Sequence, residues 1–187
     1  MPTPHTAPRY ILPPGITVRP TLLPEDDAFL FALYRETHRG EVARLLGSGH
    51  VSIVSAAAVL PEPLLRMQYT IRRNSYRQRF PDLLEELVLE NGSPIGCLQT
   101  ASAENEIRLV DIALLPDYHH RGIGTALIRG VQNKAGQQGI PVCLSVARDN
   151  ATARRLYERL AFTIENKSTD GIYEEMIWHT AQVTAVP

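Results

Sequence analysis

The chain has 187 residues, with 19 Lys and Arg against 20 Asp and Glu, for a net charge of −1 at pH 7. That length suits one domain, which hides roughly 70% of its unfolded surface and needs no disulfide or metal staple. The balanced charge and pI near 6.6 give no pull toward nucleic acid or anionic membrane, and no stretch approaches the roughly 20 apolar residues of a membrane span.

The chain opens with prolines at 2, 4, 8, 13 and 14, so 1–14 reads as a disordered lead-in. It has no basic region followed by an apolar one, so it is not a secretory signal. Cys97 and Cys143 sit inside apolar runs and read as buried free thiols in a reducing cytoplasm. Ile16-Thr17-Val18-Arg19-Pro20 alternates as a short strand does. Pro24-Glu25-Asp26-Asp27 then opens a helix, because proline fits the first turn and acids favour the positive end of the dipole. Gly47-Ser48-Gly49 breaks the pattern, and 50–60 is ambiguous.

Residues 61–80 read as a second helix. Its stretch from Gln68 to Arg79 mixes aromatic, amide and basic groups. Such a run can line a pocket, but a solvated face is the default for charge at helical spacing and is the preferred reading. Residues 83–89 and 94–101 form two strands around Asn91-Gly92, a favoured hairpin turn pair. In the next strand, 107–115, the run 109–115 is apolar on both faces except for Asp111, so the strand is central. A helix over 122–138 carries Ile123, Leu127, Val131 and Ala135 on one stripe and ends at Gly139. Residues 141–146 form a strand, Asn150 caps a further helix, and 162–165 and 173–178 are closing strands. The order β-α-α-β-β-β-α-β-α-β-β predicts an α/β domain over 15–179, a mixed and mostly antiparallel sheet of about seven strands with helices on both faces. Residues 180–187 read as a tail.

The sharpest local signal is His119-His120-Arg121-Gly122-Ile123-Gly124-Thr125-Ala126, between a central strand and a helix. The first turn of a helix has unpaired N–H groups and partial positive charge. Glycines at 122 and 124 remove side chains that would hold a phosphate away, and Arg121 can add a charge-assisted bond. Two glycines there also suit tight strand–helix packing. The run is not a P-loop, since no Gly-Lys-Ser/Thr follows, and it lacks the third glycine of a dinucleotide fingerprint. The His119-His120 pair has no Cys or Glu at ligand spacing, so no metal is expected. Further on, Asn150 and Tyr157 are seven residues apart, two helical turns, and share a face. Alone, Tyr157 reads more readily as a core aromatic.

Together these segments resemble the GNAT superfamily of acyl-CoA-dependent N-acetyltransferases. Its Gln/Arg-x-x-Gly-x-Gly/Ala motif is matched at Gly122 and Gly124, with His119 in the first position. Its later pattern is matched at Asn150, Ala153, Leu156, Tyr157 and Phe162, with Ala161 in place of the usual glycine. The resemblance implies that the strands over 107–115 and 141–146 splay apart. It implies acetyl-CoA as co-substrate, with pantetheine along the backbone of Ile112, Ala113 and Leu114. His119, Arg121, Gly122, Ile123, Gly124, Thr125 and Ala126 would hold the pyrophosphate, and Asn150 and Tyr157 would touch the cofactor arm. It implies transfer of an acetyl group to a primary amine of a small-molecule or peptide acceptor, by direct attack. Tyr157 would protonate the leaving thiolate, and a β-strand amide near Ile112 would steady the oxyanion. For the base, Glu106 at the strand mouth is a candidate. Strict alternation would put Asp111 with Ile107, Leu109 and Ala113 on one face, at a depth where ionised burial needs a partner. A water is the other choice. A homodimer is possible, and a non-catalytic acyl-CoA-binding module on the same fold is the alternative.

Overall fold

The computed structural model describes residues 10–46, 61–167 and 171–180. Its elements are β1 (Ile16–Pro20), α1 (Asp27–Leu46), α2 (Glu62–Arg79), β2 (Leu83–Glu90), β3 (Ser93–Ser102), β4 (Ile107–Leu114), α3 (Ile123–Gln138), β5 (Val142–Ala147), α4 (Ala151–Arg159), β6 (Thr163–Lys167) and β7 (Tyr173–Trp178). A 3₁₀ turn, Pro116–Tyr118, follows β4. This is the order expected from the sequence. The expectations for 1–9, for 47–60 and for the end of the tail lie outside the described residues.

The seven strands run in the order β1-β2-β3-β4-β5-β7-β6. Every pair is antiparallel except β4 with β5, because α3 carries the chain back to the starting end of β4 and lays β5 alongside it. Asn91 and Gly92 both take positive φ, +49° and +85°, which is the two-residue turn that matches hairpin twist. Asn150 caps α4 by accepting from the Ala153 amide at 3.1 Å, and Gly139 ends α3 at φ +69°.

Two apolar cores lie on opposite faces of the sheet. The larger gathers Ile123, Leu127, Val131 and Ala135 of α3, with Tyr157 and Leu160, against β3, β4 and β5. The smaller packs Leu30, Phe31 and Leu33 of α1 and Tyr69 of α2 on Leu87, Leu89 and Cys97. Residues 10–14, expected to belong to a disordered lead-in, are placed instead: Tyr10 and Leu12 pack on the larger core.

Two features of β4 position everything that follows. The strand pairs with β5 only from Ile107 to Leu109, against Val142 to Leu144. Beyond that, β4 stays with β3 and β5 stays with β7, so a gap opens. The register also slips at the same level: Leu109 faces Thr100 and Asp111 faces Gln99, leaving Val110 as an extra residue. This bulge corrects the strict alternation read from the sequence. Ile107 and Leu109 lie in the larger core, and so do Ile112 and Leu114. Asp111 and Ala113 therefore point to the opposite face, toward α1 and α2.

Candidate active site

The phosphate-binding expectation concerns the start of α3. His120 and Gly122 both take positive φ, +60° and +78°, which folds the loop into a concave turn of the kind whose amides hold anions. Gly122 is the residue before the helix, and no side chain caps it. A Cβ built on Gly122 would meet nothing within 4 Å, and one on Gly124 would meet only Leu156 Cδ2, at 3.9 Å. Tight internal packing is therefore not what these glycines serve. The contrast is Gly96, where a Cβ would stand 2.5 Å from the Ala113 carbonyl oxygen. Space beside the uncapped amides of Ile123, Gly124 and Thr125 is left open by the protein, which fits a pyrophosphate. Ala126 is already inside the helix, its amide bonded to Gly122 at 3.0 Å.

The flanking side chains are engaged within the protein. The Arg121 guanidinium pairs with Glu90 and lies 5.0 Å over the Tyr118 ring. The His119 Nε2 donates to the Leu114 carbonyl at 2.9 Å; since a carbonyl only accepts, the ring carries its proton on that nitrogen.

The same bond helps to orient β4. The Leu115 amide donates toward β3, to Ile95 at 2.9 Å, so the Leu114 carbonyl faces the other way, into the gap. By alternation Ile112 presents its backbone to the gap as well, whereas Ala113 turns its own to β3. Of the three residues expected to meet pantetheine through the backbone, the structure aims Ile112 and Leu114 at the gap. Ala113 contributes its side chain to a pocket on the other face.

Tyr157 lies on α4 within the larger core and is 8% exposed, its ring edge-on to Phe162. The side chain of its neighbour Leu156 is the one that a Cβ on Gly124 would touch, so the two sequence motifs meet in space. Burial, followed by the charge of Asp111, pushes the Tyr157 hydroxyl well above its ordinary pKa. The phenol stays protonated across the physiological range and can donate. Asn150 spends its Oδ1 on the α4 cap.

Across the sheet, α1, α2 and the strands β2 to β4 enclose a pocket. The row Tyr69, Arg72, Arg73 and Tyr76 of α2 lines it, while Thr70, Ile71, Asn74 and Ser75 are exposed. This amends the preference for a solvated face: one side of the run faces solvent and the other faces the pocket. The arginines meet carboxylates there. Arg73 pairs with Glu85 at 2.5 Å and Asp27 at 3.2 Å, and Arg72 stands 3.6 Å from Asp111. Burial, opposed by Arg72 and supported by Asp111, pushes the Tyr76 hydroxyl up to about 12.

Asp111 is thus less deep than its place in an apolar run suggested. Its side chain is 34% exposed and has a cationic neighbour, because the bulge swings it out of the core and into the pocket. Its charge is felt by Tyr76 on one side and by Tyr157 on the other. The sequence named Asp111 but assigned it the wrong face-mates. Glu106 sits elsewhere, before the first residue of β4 and at the end where β4 and β5 are still bonded. It pairs with Arg108 at 3.8 Å, and burial, followed by Glu106, pushes the Cys143 thiol up to about 12. At about 3.3 Å per residue it stands roughly 15 Å from Asp111 along the strand. The structure does not bring Glu106 to the gap.

The acetyltransferase (GNAT) family profile matches residues 55–162, more than half of the chain. The chain belongs to that family. Among individual relatives, the bS18-alanine N-acetyltransferase of Escherichia coli K12 is 34% identical over 74 residues, 39% of this chain and 50% of the relative. The matched segment thus spans about half the length of the curated relatives. Among solved structures, the PaiA N-acetyltransferase of Thermoplasma acidophilum, in complex with coenzyme A, superposes with a TM-score of 0.61 at 23% identity. It covers 88% of this chain and 98% of its own. The E. coli ribosomal-protein-S18-alanine N-acetyltransferase superposes at 0.53 and 21% identity, covering 92% and 99%. At these identities the superpositions establish a shared GNAT fold.

Proposed function

We propose that the protein is an N-acetyltransferase that uses acetyl-CoA to acetylate a primary amine. The observation that carries this reading is one gap with three features around it. A helix start opened by Gly122 and Gly124 lies at one end, a buried protonated tyrosine follows on α4, and a pocket lies on the far face of the same strand. The amides of Ile123, Gly124 and Thr125 bind the pyrophosphate, and the backbone of Ile112 and Leu114 receives the pantetheine arm. The co-substrate supplies an acetyl group activated as a thioester. Tyr157 gives its proton to the departing sulfur, and the Ile112 amide faces the charge that builds on the acetyl oxygen. Asp111, between the pocket and Tyr157, takes in this reading the proton-accepting place first considered for Glu106. The Escherichia coli relative is named for an alanine of ribosomal protein bS18, which makes a peptide amine a natural first acceptor to try beside small amines. Cytoplasmic location agrees with buried free thiols at Cys97 and Cys143.

The test is release of free thiol from acetyl-CoA in the presence of a broad amine panel. Tyr157→Phe is expected to lose about 10²–10⁴-fold in turnover, with coenzyme A affinity within about twofold by calorimetry. Acetyl-CoA binding without thiol release for any amine would convert the reading into that of an acyl-CoA-binding module.

A further inference from the structure

Gln99 is a buried amide, 8% exposed, on the floor of the pocket. Its Nε2 donates to Glu85 Oε1 at 2.7 Å. Glu85 is itself held by Arg73 at 2.5 Å and by the Thr21 hydroxyl at 3.1 Å. A flipped amide would set its oxygen against the Glu85 carboxylate, so charge fixes the orientation. The consequence is a committed carbonyl oxygen: Gln99 Oε1 is buried and accepts from no described residue. Buried acceptors normally have partners, and a missing one points to a ligand or water. Gln99 also lies directly opposite Asp111 in the β3–β4 register, which puts the two side chains on one face about 5 Å apart at Cβ.

We propose that Gln99 Oε1 and Asp111 together form the subsite for the acceptor's amino group, with Gln99 as the residue that selects it. This rests on the acetyltransferase reading and adds what selects its acceptor: an unhindered primary amine offers one N–H to Gln99 and a second to Asp111. Its body lies along Tyr34, Tyr69 and Tyr76, which line the same pocket. Acceptors recognised through a carboxylate are disfavoured, because Arg73 is matched by Glu85 and Asp27 and Arg72 by Asp111. In the reaction the amine nitrogen bonds to the acetyl carbon and its proton passes to Asp111. The carbon–sulfur bond breaks and the sulfur takes the Tyr157 proton. Asp111 then returns a proton to Tyr157 through solvent, so the chain ends as it began.

The experiment uses full-length protein saturated with coenzyme A for binding, or with acetyl-CoA for turnover. The probes are n-butylamine, 2-phenylethylamine and N-methyl-2-phenylethylamine. Gln99→Met, which keeps volume and removes the acceptor, is expected to raise KM and Kd for the primary amines at least tenfold. The affinity for coenzyme A and kcat are expected to stay within about threefold. Glu85→Gln, which frees the Gln99 amide to flip, is expected to raise KM by a few-fold. Asp111→Asn is expected to lower kcat a hundredfold or more with a smaller change in KM. Primary amines are expected to bind at least tenfold tighter than the N-methyl compound. Unchanged amine KM and Kd in Gln99→Met would overturn the proposal, as would failure of both primary amines to bind the wild type. Binding that depends on Gln99 without any turnover would uphold the subsite and defeat the acetyltransferase reading alone.

Discussion

At position 124 a single hydrogen replaces what could be a methyl group, and the protein gains nothing internal from the exchange. Its φ is not among the positive ones, and a Cβ would touch only Leu156 at 3.9 Å. Inside a helix glycine is less stable than alanine by roughly 0.5–1 kcal/mol. Gly124→Ala should therefore raise the stability of the ligand-free protein by about that amount. Coenzyme A binding should stay within about threefold, because the motif accepts alanine at this position and the backbone amides that meet the phosphate are unchanged. A larger side chain here would instead cost a charge-assisted hydrogen bond, about 1.5–3 kcal/mol, or tenfold or more in affinity. Thermal denaturation and calorimetry on the same variant read the two effects, and a variant less stable without ligand would show that packing had required the glycine. The loop's chemistry was legible because it depends on local backbone and on the absence of side chains. Asp111 was harder to place. A bulge breaks the period of two, and in a run apolar on both faces no polar residue marks where the phase slips.

The amphipathic elements were readable for the same local reason: the stripe on α3 and the cap on α4 are properties of short windows. The segment before β1 was not, because its anchor lies more than a hundred residues away. A Cβ on Gly130 would stand 2.1 Å from Tyr10 Cδ1, so the Tyr10 ring rests directly on the α3 backbone. The Tyr10 hydroxyl donates to Glu86 at 2.9 Å, and Glu86 is 2% exposed. Burial raises the Glu86 pKa, with Tyr10 and Lys134 working the other way. A raised carboxyl pKa means that this group's contribution is fully present below its unfolded value and is lost as pH rises through the folded one. Gly130→Ala should displace Tyr10, leave Glu86 short of a donor and cost about 1–3 kcal/mol. The cost should be larger at pH 8 than at pH 5, because the charged form is the one Tyr10 supports. In a Tyr10→Ala background the same substitution should cost much less, a non-additivity that denaturant midpoints can measure. Additive costs would mean that Gly130 answers to the helix alone.

At the scale of the molecule, the sequence yielded the number and order of elements but not what they enclose. The insertion of β7 between β5 and β6 and the meeting of α2 with Gln99 and Asp111 are non-local pairings, which no window reports. Glu106 illustrates the gap between the two levels. In linear order it is the carboxylate nearest the mouth of β4, yet in space it lies at the bonded end of the β4–β5 pair. The proposed site is thus a property of the folded chain, assembled from the start of α3, one side of α4 and the splayed half of β4. A ligand that needs all three binds the native state and has nothing comparable to hold in the unfolded one. At a coenzyme A concentration 100 times Kd this linkage stabilises the fold by about 2.7 kcal/mol. For a domain of this size that corresponds to roughly 5–10 °C in Tm. Tyr157→Phe should keep the shift, since in the proposed reaction the phenol acts on the thioester and not on the phosphates. Gly124→Asp should abolish it while leaving the ligand-free Tm within a few degrees, because its carboxylate enters space the protein leaves open and repels the anion there. A full coenzyme A shift in Gly124→Asp would move the phosphate site away from the start of α3 and take the assignment of the gap with it.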